Sequence, residues 1–293
     1  MSADALFAPA DRARLDRLAL RTRRTMRGEA VGERRSRRIG AGGEFADHRT
    51  YVPGDDLRYV DWNVYFRHGD LVVKRFEAIE TVDVLLLVDR SPSMEGAKAF
   101  AARRLAGAVG YVALRRRDTL AFGWVPALEG RPRVDVFRSG GRVDALLEDV
   151  AAAAAGGVTA HASDVERAVG AVRRRGPAIL VSDFFDPAGA STGLTRLVHH
   201  GFETTAVHVV DVRDATLPVG ESVRAVDAET GETIDVDVTE SLAAAVHDAW
   251  RRRVERLRAW CAAHAVNYVR LDSDRPLWDA VQDLWRAGVL GDR

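Results

Sequence analysis

The sequence predicts an α/β fold: a doubly wound, mostly parallel sheet, with an N-terminal extended segment and a hairpin insertion. Three observations predict it. The continuous apolar runs VDVLLLVD (82–89) and PAILVSDF (177–184) read as strands covered on both faces. Stretches with apolar residues at helical spacing alternate with these and other strands, which is the pattern of a parallel sheet layered by helices. Both runs reach an aspartate, Asp89 and Asp183. In such sheets ligands bind beyond the carboxyl ends of the strands.

The elements follow in order. DRARLDRLALRTRR (11–24) carries Leu15 and Leu18 at helical spacing, with Leu20 nearby, and predicts a helix. From Glu44 to Glu80 the chain reads as short extended pieces, with a turn at VPGDD (52–56) and a strand at LVVKRFEA (71–78). The alanine-rich stretch 96–116 is a helix. TLAFGWV (119–125) and RVDVF (133–137) are strands flanking a proline-bounded turn at 126–132. Helices are expected over 142–154, 163–175 and 190–200, and a strand at TTAVHVVD (204–211). VRAVDAETGETIDVDV (223–238) alternates around a glycine and predicts a hairpin. A long helix at 240–264, the strand NYVRL (267–271) and a last helix close the chain. We expect residues 1–80 to form a basic helix and an extended segment packed on a main domain at 81–293.

Composition excludes several function classes. The 43 basic residues balance 43 acidic ones, so no global field draws the chain to nucleic acid or membrane. Charge is nevertheless uneven. Residues 11–40 hold eleven arginines against Asp11, Asp16, Glu29 and Glu33, a local excess of +7. No aromatic residues interleave with those arginines as a stacking platform for nucleic acid needs. A solvated helix face and a surface for an acidic partner both suit them. The single cysteine, Cys261, rules out an internal disulfide and a cysteine zinc cluster, and reads as a core residue. The first residues lack the pattern of a signal peptide, and charges interrupt every apolar run well short of about 18 residues. A cytoplasmic protein is therefore expected.

Asp89, Ser91 and Ser93 lie at alternate positions on one segment, LLLVDRSPSMEG. In extended backbone such side chains project to one side. Carboxylates and hydroxyls are hard oxygen donors suited to Mg²⁺ or Mn²⁺, and Asp183 from a second strand end would complete a cup. Two neutral hydroxyls would leave the ion short of negative charge and able to take a carboxylate from outside. The same residues also suit a helix cap and turn.

The segment Asp89-Arg90-Ser91-Pro92-Ser93 resembles the Asp-x-Ser-x-Ser metal-ion-dependent adhesion site of von Willebrand factor type A domains, whose sheet is Rossmann-like. That family adds a threonine from a second loop and an aspartate from a third. Asp183 fits the third position. Thr159, in GGVTA, fits the second, with Ser163, in SDVERAV, as the alternative. The resemblance implies that the serines ligate directly and the aspartates act largely through water.

The stretch GGEFADHRTYVPGDDLRYVDWNVYFRHGDLVVKRFE (42–77) resembles the hallmark of a bacterial family known as domain of unknown function 58, a resemblance spanning residues 20–215. It implies a partnership with MoxR-type AAA+ ATPases, thought to act as chaperones, and no established enzymatic activity. Within the hallmark, Arg49, Asp55, Asp56, Arg58, Asp61 and Arg75 surround Tyr51, Tyr59 and Trp62. A salt-bridged scaffold is one reading, since buried charges need partners. A surface for the ATPase, carried by Arg49, Asp55, Asp56 and Arg58, is the other. A catalytic role for the adjacent Asp55-Asp56 pair is weaker, because neighbours in one turn do not flank a substrate bond.

Other chemistries lack their signatures. No G-x-G-x-x-G follows a strand, and there is no G-x-x-x-x-G-K-[ST] and no G-x-S-x-G. His199 and His200 are adjacent rather than at i, i+4, and Trp250 and Trp260 read as packing residues. The leading expectation is a non-enzymatic, metal-dependent interaction module that takes an acidic ligand from a MoxR-type ATPase or its client. The alternative is a metal-dependent hydrolase using the same oxygen cup, for which only Glu95 and His161 stand near as bases.

Overall fold

The computed structural model describes residues 6–22, 44–77, 82–127, 134–138, 142–153, 156, 161–172, 174–185, 191–227 and 231–292. The chain divides into two units, one of residues 1–26 with 82–293 and one of residues 27–81. The start of the chain, expected to belong with the extended segment, thus clusters with the large unit: Leu6, Phe7, Leu15, Leu18 and Leu20 are buried in its core.

The large unit begins with α1 (Pro9–Leu15) and β1 (Leu18–Leu20). The expected helix over 11–24 is corrected here. After Asp16 the chain leaves helical conformation, and Leu18 and Leu20 turn inward with strand periodicity while pairing antiparallel with β12, defined below. Two leucines separated by one residue fit a strand better than a helix once a partner strand is present.

The smaller unit holds β2 (Glu44–Thr50), α2 (Trp62–His68) and β3 (Val72–Glu77), with β2 and β3 antiparallel. Helix α2 was not anticipated among extended pieces. Asp61 caps it, its carboxylate accepting from the N–H groups of Asn63 (3.0 Å) and Val64 (3.4 Å). Gly69 ends it in the left-handed region at φ 79°.

The large unit resumes with β4 (Asp83–Asp89), α3 (Ala97–Arg115), β5 (Thr119–Val125), β6 (Asp135–Arg138), α4 (Val143–Ala152), α5 (His161–Gly170) and β7 (Pro177–Ser182). Then come α6 (Thr192–His199), β8 (Glu203–Val210), β9 (Ser222–Val226), β10 (Thr233–Asp237), α7 (Glu240–Ala263), β11 (Asn267–Asp272), α8 (Leu277–Arg286) and β12 (Leu290–Asp292). Helix α5 starts and ends earlier than the expected 163–175. The expected hairpin is β9 with β10, and it is largely exposed.

Six strands form the central sheet in the order β11-β8-β7-β4-β5-β6, all parallel except β6. Alternate residues of β4 feed two cores. Val84, Leu86 and Val88 pack with α3, α4 and α8, whereas Leu85 and Leu87 pack with α5, α6 and α7. Helices thus cover both faces, which is why β4 is apolar along its length. From β4 the chain builds outward to β5 and β6, then returns to β7 on the other side. At the carboxyl ends of β4 and β7 the connections diverge, to β5 on one side and β8 on the other, which makes this the switch point of the sheet. Asp89 ends β4 and Asp183 directly follows β7, so the fold places both aspartates at that switch point.

Candidate functional site

Asp89 is buried and fixes its own loop. Its Oδ1 accepts from the Ser91 N–H at 2.8 Å and its Oδ2 accepts from the Ser182 hydroxyl at 2.5 Å. The first contact is the turn predicted by the capping reading; the second ties β4 to β7. Ser91 is buried too, and its hydroxyl lies 3.1 Å from that of Ser93. Ser93 Oγ in turn donates to Asp183 Oδ1 at 3.3 Å. Ser91, Ser93 and Asp183 therefore form one contiguous oxygen cluster, to which Asp89 is tied through the Ser91 N–H.

The backbone after β7 is shaped to aim Asp183. Phe184 adopts φ 54°, the left-handed region that a bulky residue occupies only when its surroundings hold it there. Its N–H donates to Ser182 Oγ at 2.8 Å and its carbonyl accepts from Arg253. The Phe185 N–H donates to Asp183 Oδ1 at 3.1 Å. The Arg253 guanidinium lies 4.0 Å from the centre of the Phe185 ring, which is itself partly exposed.

One charged side chain beside the cluster escaped the sequence reading. Lys98, in the first turn of α3, donates to Asp183 Oδ2 at 2.8 Å and to Asp214 Oδ2 at 3.0 Å. Its side chain is only 8% exposed and that of Asp183 only 1%. Burial alone would lower the Lys98 ammonium, but the two carboxylates outweigh it and hold its pKa above the usual range. Burial also pushes the Asp183 carboxyl up, against the pull of Lys98. Two signals for Lys98 were available. The chain has only two lysines, Lys74 and Lys98, in an otherwise arginine-based set. A cation in the first turn also opposes the helix dipole and so calls for a specific anionic partner.

Behind the cluster, His208 of β8 is buried and hydrogen-bonded through Nδ1 to the Tyr268 hydroxyl at 2.9 Å. Burial pushes its imidazole down to about 3, so it is neutral, and pushes the Tyr268 phenol up to about 12.

The second-loop candidates fare differently. Thr159 lies outside the described residues. Gly156, three residues earlier, donates its N–H to the Arg90 carbonyl at 2.7 Å, which ties that loop to the backbone following Asp89. Ser163 is exposed on α5, where its hydroxyl accepts from Arg167 at 3.3 Å. Of the two bases considered, Glu95 is exposed, and the side chain of His161 lies outside the described residues.

In the smaller unit the charged residues pair with each other. Arg49 binds Asp55 at 2.7 Å, and Asp55 also accepts from the Val52 N–H at 2.9 Å. Arg58 binds Asp56 through two nitrogens, at 2.6 Å for the shorter contact. Asp61 accepts from Lys74 at 3.2 Å and is hydrogen-bonded to His48 at 3.0 Å besides capping α2. The His48 hydrogen bond, ahead of the others, holds the Asp61 carboxyl down to about 2. The side chain of Arg75 lies outside the described residues.

The oxygen cluster has donor chemistry that fits a small hard cation. Adjacent corners of an octahedron with bonds of about 2.0–2.1 Å stand roughly 2.9 Å apart. The Ser91–Ser93 separation of 3.1 Å is a slightly expanded edge of that kind, and Asp183 stands 3.3 Å from Ser93. Among the described residues no group of three or more His, Cys, Asp or Glu is placed to hold a metal. An ion here would therefore depend on the two serine hydroxyls. Among those residues also, no helix is long and apolar enough to cross a membrane.

Comparisons with known proteins place the chain in a family. The chain is similar to the uncharacterized protein Rv1480 of Mycobacterium tuberculosis, 29% identical over 254 residues that cover 80% of this chain and 77% of the relative. Among solved structures it is similar to the conserved hypothetical protein BatB from Bacteroides thetaiotaomicron. There the TM-score is 0.39 and the identity 15%, over 70% of this chain and 98% of that one. A second is an aerotolerance-related membrane protein from Bacteroides fragilis, with a TM-score of 0.37 and 14% identity over 70% and 99%. The family described as "Protein of unknown function DUF58" matches residues 47–258, and the chain belongs to it.

Proposed function

We propose that this protein is a non-enzymatic, metal-dependent interaction module of the von Willebrand factor type A kind. In this reading Mg²⁺ or Mn²⁺ binds Ser91 and Ser93 directly, with Asp89 and Asp183 holding the ion's water shell and Thr159 completing the set. An acidic side chain of a partner protein fills the remaining position. The observation that carries the reading is the junction of Ser91, Ser93 and Asp183 oxygens at the carboxyl ends of β4 and β7. That Asp89 spends both oxygens on Ser91 and Ser182 supports its indirect role. The strand order, with one antiparallel edge strand, supports the type A reading as well.

The partner is a MoxR-type AAA+ ATPase in the cytoplasm, or a client of it. Support for this is the resemblance carried by residues 42–77. The paired charges Arg49–Asp55 and Arg58–Asp56 then present a rigid docking face. The exposed rings of Trp62, Tyr65 and Phe66 stand on the same segment. The test is binding of the purified protein to the purified MoxR-type ATPase of the same organism, in Mg²⁺ and in EDTA. Capture that needs Mg²⁺ and is lost in Ser91→Ala supports the proposal. Equal capture in EDTA refutes it.

A further inference from the structure

We infer that Lys98 is a resident cation of this site, holding Asp183 when no metal is bound and yielding it by shifting onto Asp214 when metal arrives. The inference rests on the metal reading above and adds the residue that sets the affinity. Its basis is geometric. Asp183 presents two different oxygens to two different neighbourhoods. Oδ1 faces Ser93 and the Phe185 N–H, the side of the oxygen cluster. Oδ2 faces the Lys98 ammonium. That ammonium already has a second seat, because Asp214 Oδ2 lies 3.0 Å from Nζ. Asp214 belongs to the short helical turn Val212–Ala215 that follows β8, so one amine joins segments after β4, β7 and β8.

Charge arithmetic gives this arrangement a consequence. A buried carboxylate without a cation is costly, and a divalent ion and an ammonium compete for the same charge. With Lys98 in place Asp183 already has a cation from within, one ammonium shared between Asp183 and Asp214. With metal bound, Asp214 keeps the displaced ammonium paired, so exchange does not strand a buried charge. The first turn of α3 offers Lys98 no favourable interaction of its own, since the helix dipole repels a cation there. The two carboxylates hold it, with the Phe185 ring 5.4 Å from Nζ adding a weaker contact.

The experiment is Mn²⁺ titration, followed by electron paramagnetic resonance, of wild type, Ser91→Ala, Lys98→Met, Lys98→Arg and Asp214→Asn, with fold checked by near-UV circular dichroism. Removing a unit charge at this range from the ion is expected to tighten Mn²⁺ binding in Lys98→Met by about tenfold or more. Lys98→Arg keeps the charge and stays near wild type. Asp214→Asn takes away the second seat and one negative charge, and weakens binding severalfold. It also retains the Lys98–Asp183 pair, so it reports even if Lys98→Met proves too unstable to purify. A wild type that binds no Mn²⁺ beside a Lys98→Met that does would also support the inference. Folded Lys98→Met with unchanged or weaker affinity overturns it while leaving Ser91-dependent binding intact. Absence of binding in every variant instead brings down the metal reading, and this inference with it.

Discussion

Lys98 and Asp183 form an ion pair of 2.8 Å in which both side chains are nearly sealed from water. Breaking a buried pair from one side leaves the other charge unmatched, which costs about 3–5 kcal/mol. Lys98→Met should therefore lower stability by that order in metal-free buffer. Adding Asp183→Asn to it should recover a large part of the loss, because the stranded charge goes too. Urea unfolding of the single and double variants checks this. Equal destabilisation by the two would contradict the pairing.

Asp118 predicts a pH dependence of opposite sign to the usual carboxylate. It is buried, and burial pushes its carboxyl up to about 6 even though it accepts a hydrogen bond from the Val82 N–H at 2.9 Å. A raised carboxyl pKa means that the folded state holds the proton more tightly than the unfolded one. Its contribution to stability is greatest below about pH 4 and falls as pH rises through 6. The cost at pH 7 is on the order of 2–3 kcal/mol. Asp118→Asn should thus stabilise the protein at pH 7 and show little gain at pH 4. Thermal unfolding at both pH values tests it; a variant less stable at pH 7 would contradict it.

Asp61 behaves in the ordinary sense. Its carboxyl is held down to about 2 by His48 first, with Lys74 and the capping N–H groups adding to the effect. The stability it gives the smaller unit is present above about pH 4 and is lost as pH falls toward 2. Asp61→Ala should remove the cap of α2 and expose the Asn63 and Val64 amides to hydrogen exchange at neutral pH. Unchanged protection there would show that the cap is not what holds the helix.

Much of the sheet was legible because burial on two faces leaves a plain mark: β4 and β7 are apolar along their whole length and flanked by helical spacing. Asp89, Ser91, Ser93 and Asp183 were legible as a group because each lies at or just past a strand end. Other features were hidden for physical reasons. Leu18 and Leu20 fit either period until β12, some 270 residues away in sequence, supplies a partner. The seven-residue α2 is fixed by Asp61 and Gly69 at its ends rather than by an apolar stripe. Lys98 could not be paired from sequence alone, since Asp183 and Asp214 lie 85 and 116 residues beyond it.

The hairpin β9–β10 is closed at its base by the Gly220 N–H to the Val238 carbonyl and the Val238 N–H to the Glu221 carbonyl, each 2.9 Å. Its strands are largely exposed, with Val226 and Ile234 among the solvent-facing apolar residues. Replacing residues 222–237 by Asn-Gly keeps the base and forfeits little buried surface. Stability should fall by less than about 1 kcal/mol, or about 2–4 °C in the melting midpoint. Global unfolding would show that the hairpin is part of the core.

The most direct test of the metal site is the stoichiometry of Mn²⁺ binding to wild type and to the double variant Ser91→Ala/Ser93→Ala. The hydroxyls bond to each other and to Asp183, so removing both leaves the fold intact while emptying the cluster of its neutral donors. One equivalent of Mn²⁺ on wild type and none on the folded double variant is the predicted result. Equal binding by both proteins, or no binding by wild type and Lys98→Met alike, would contradict it.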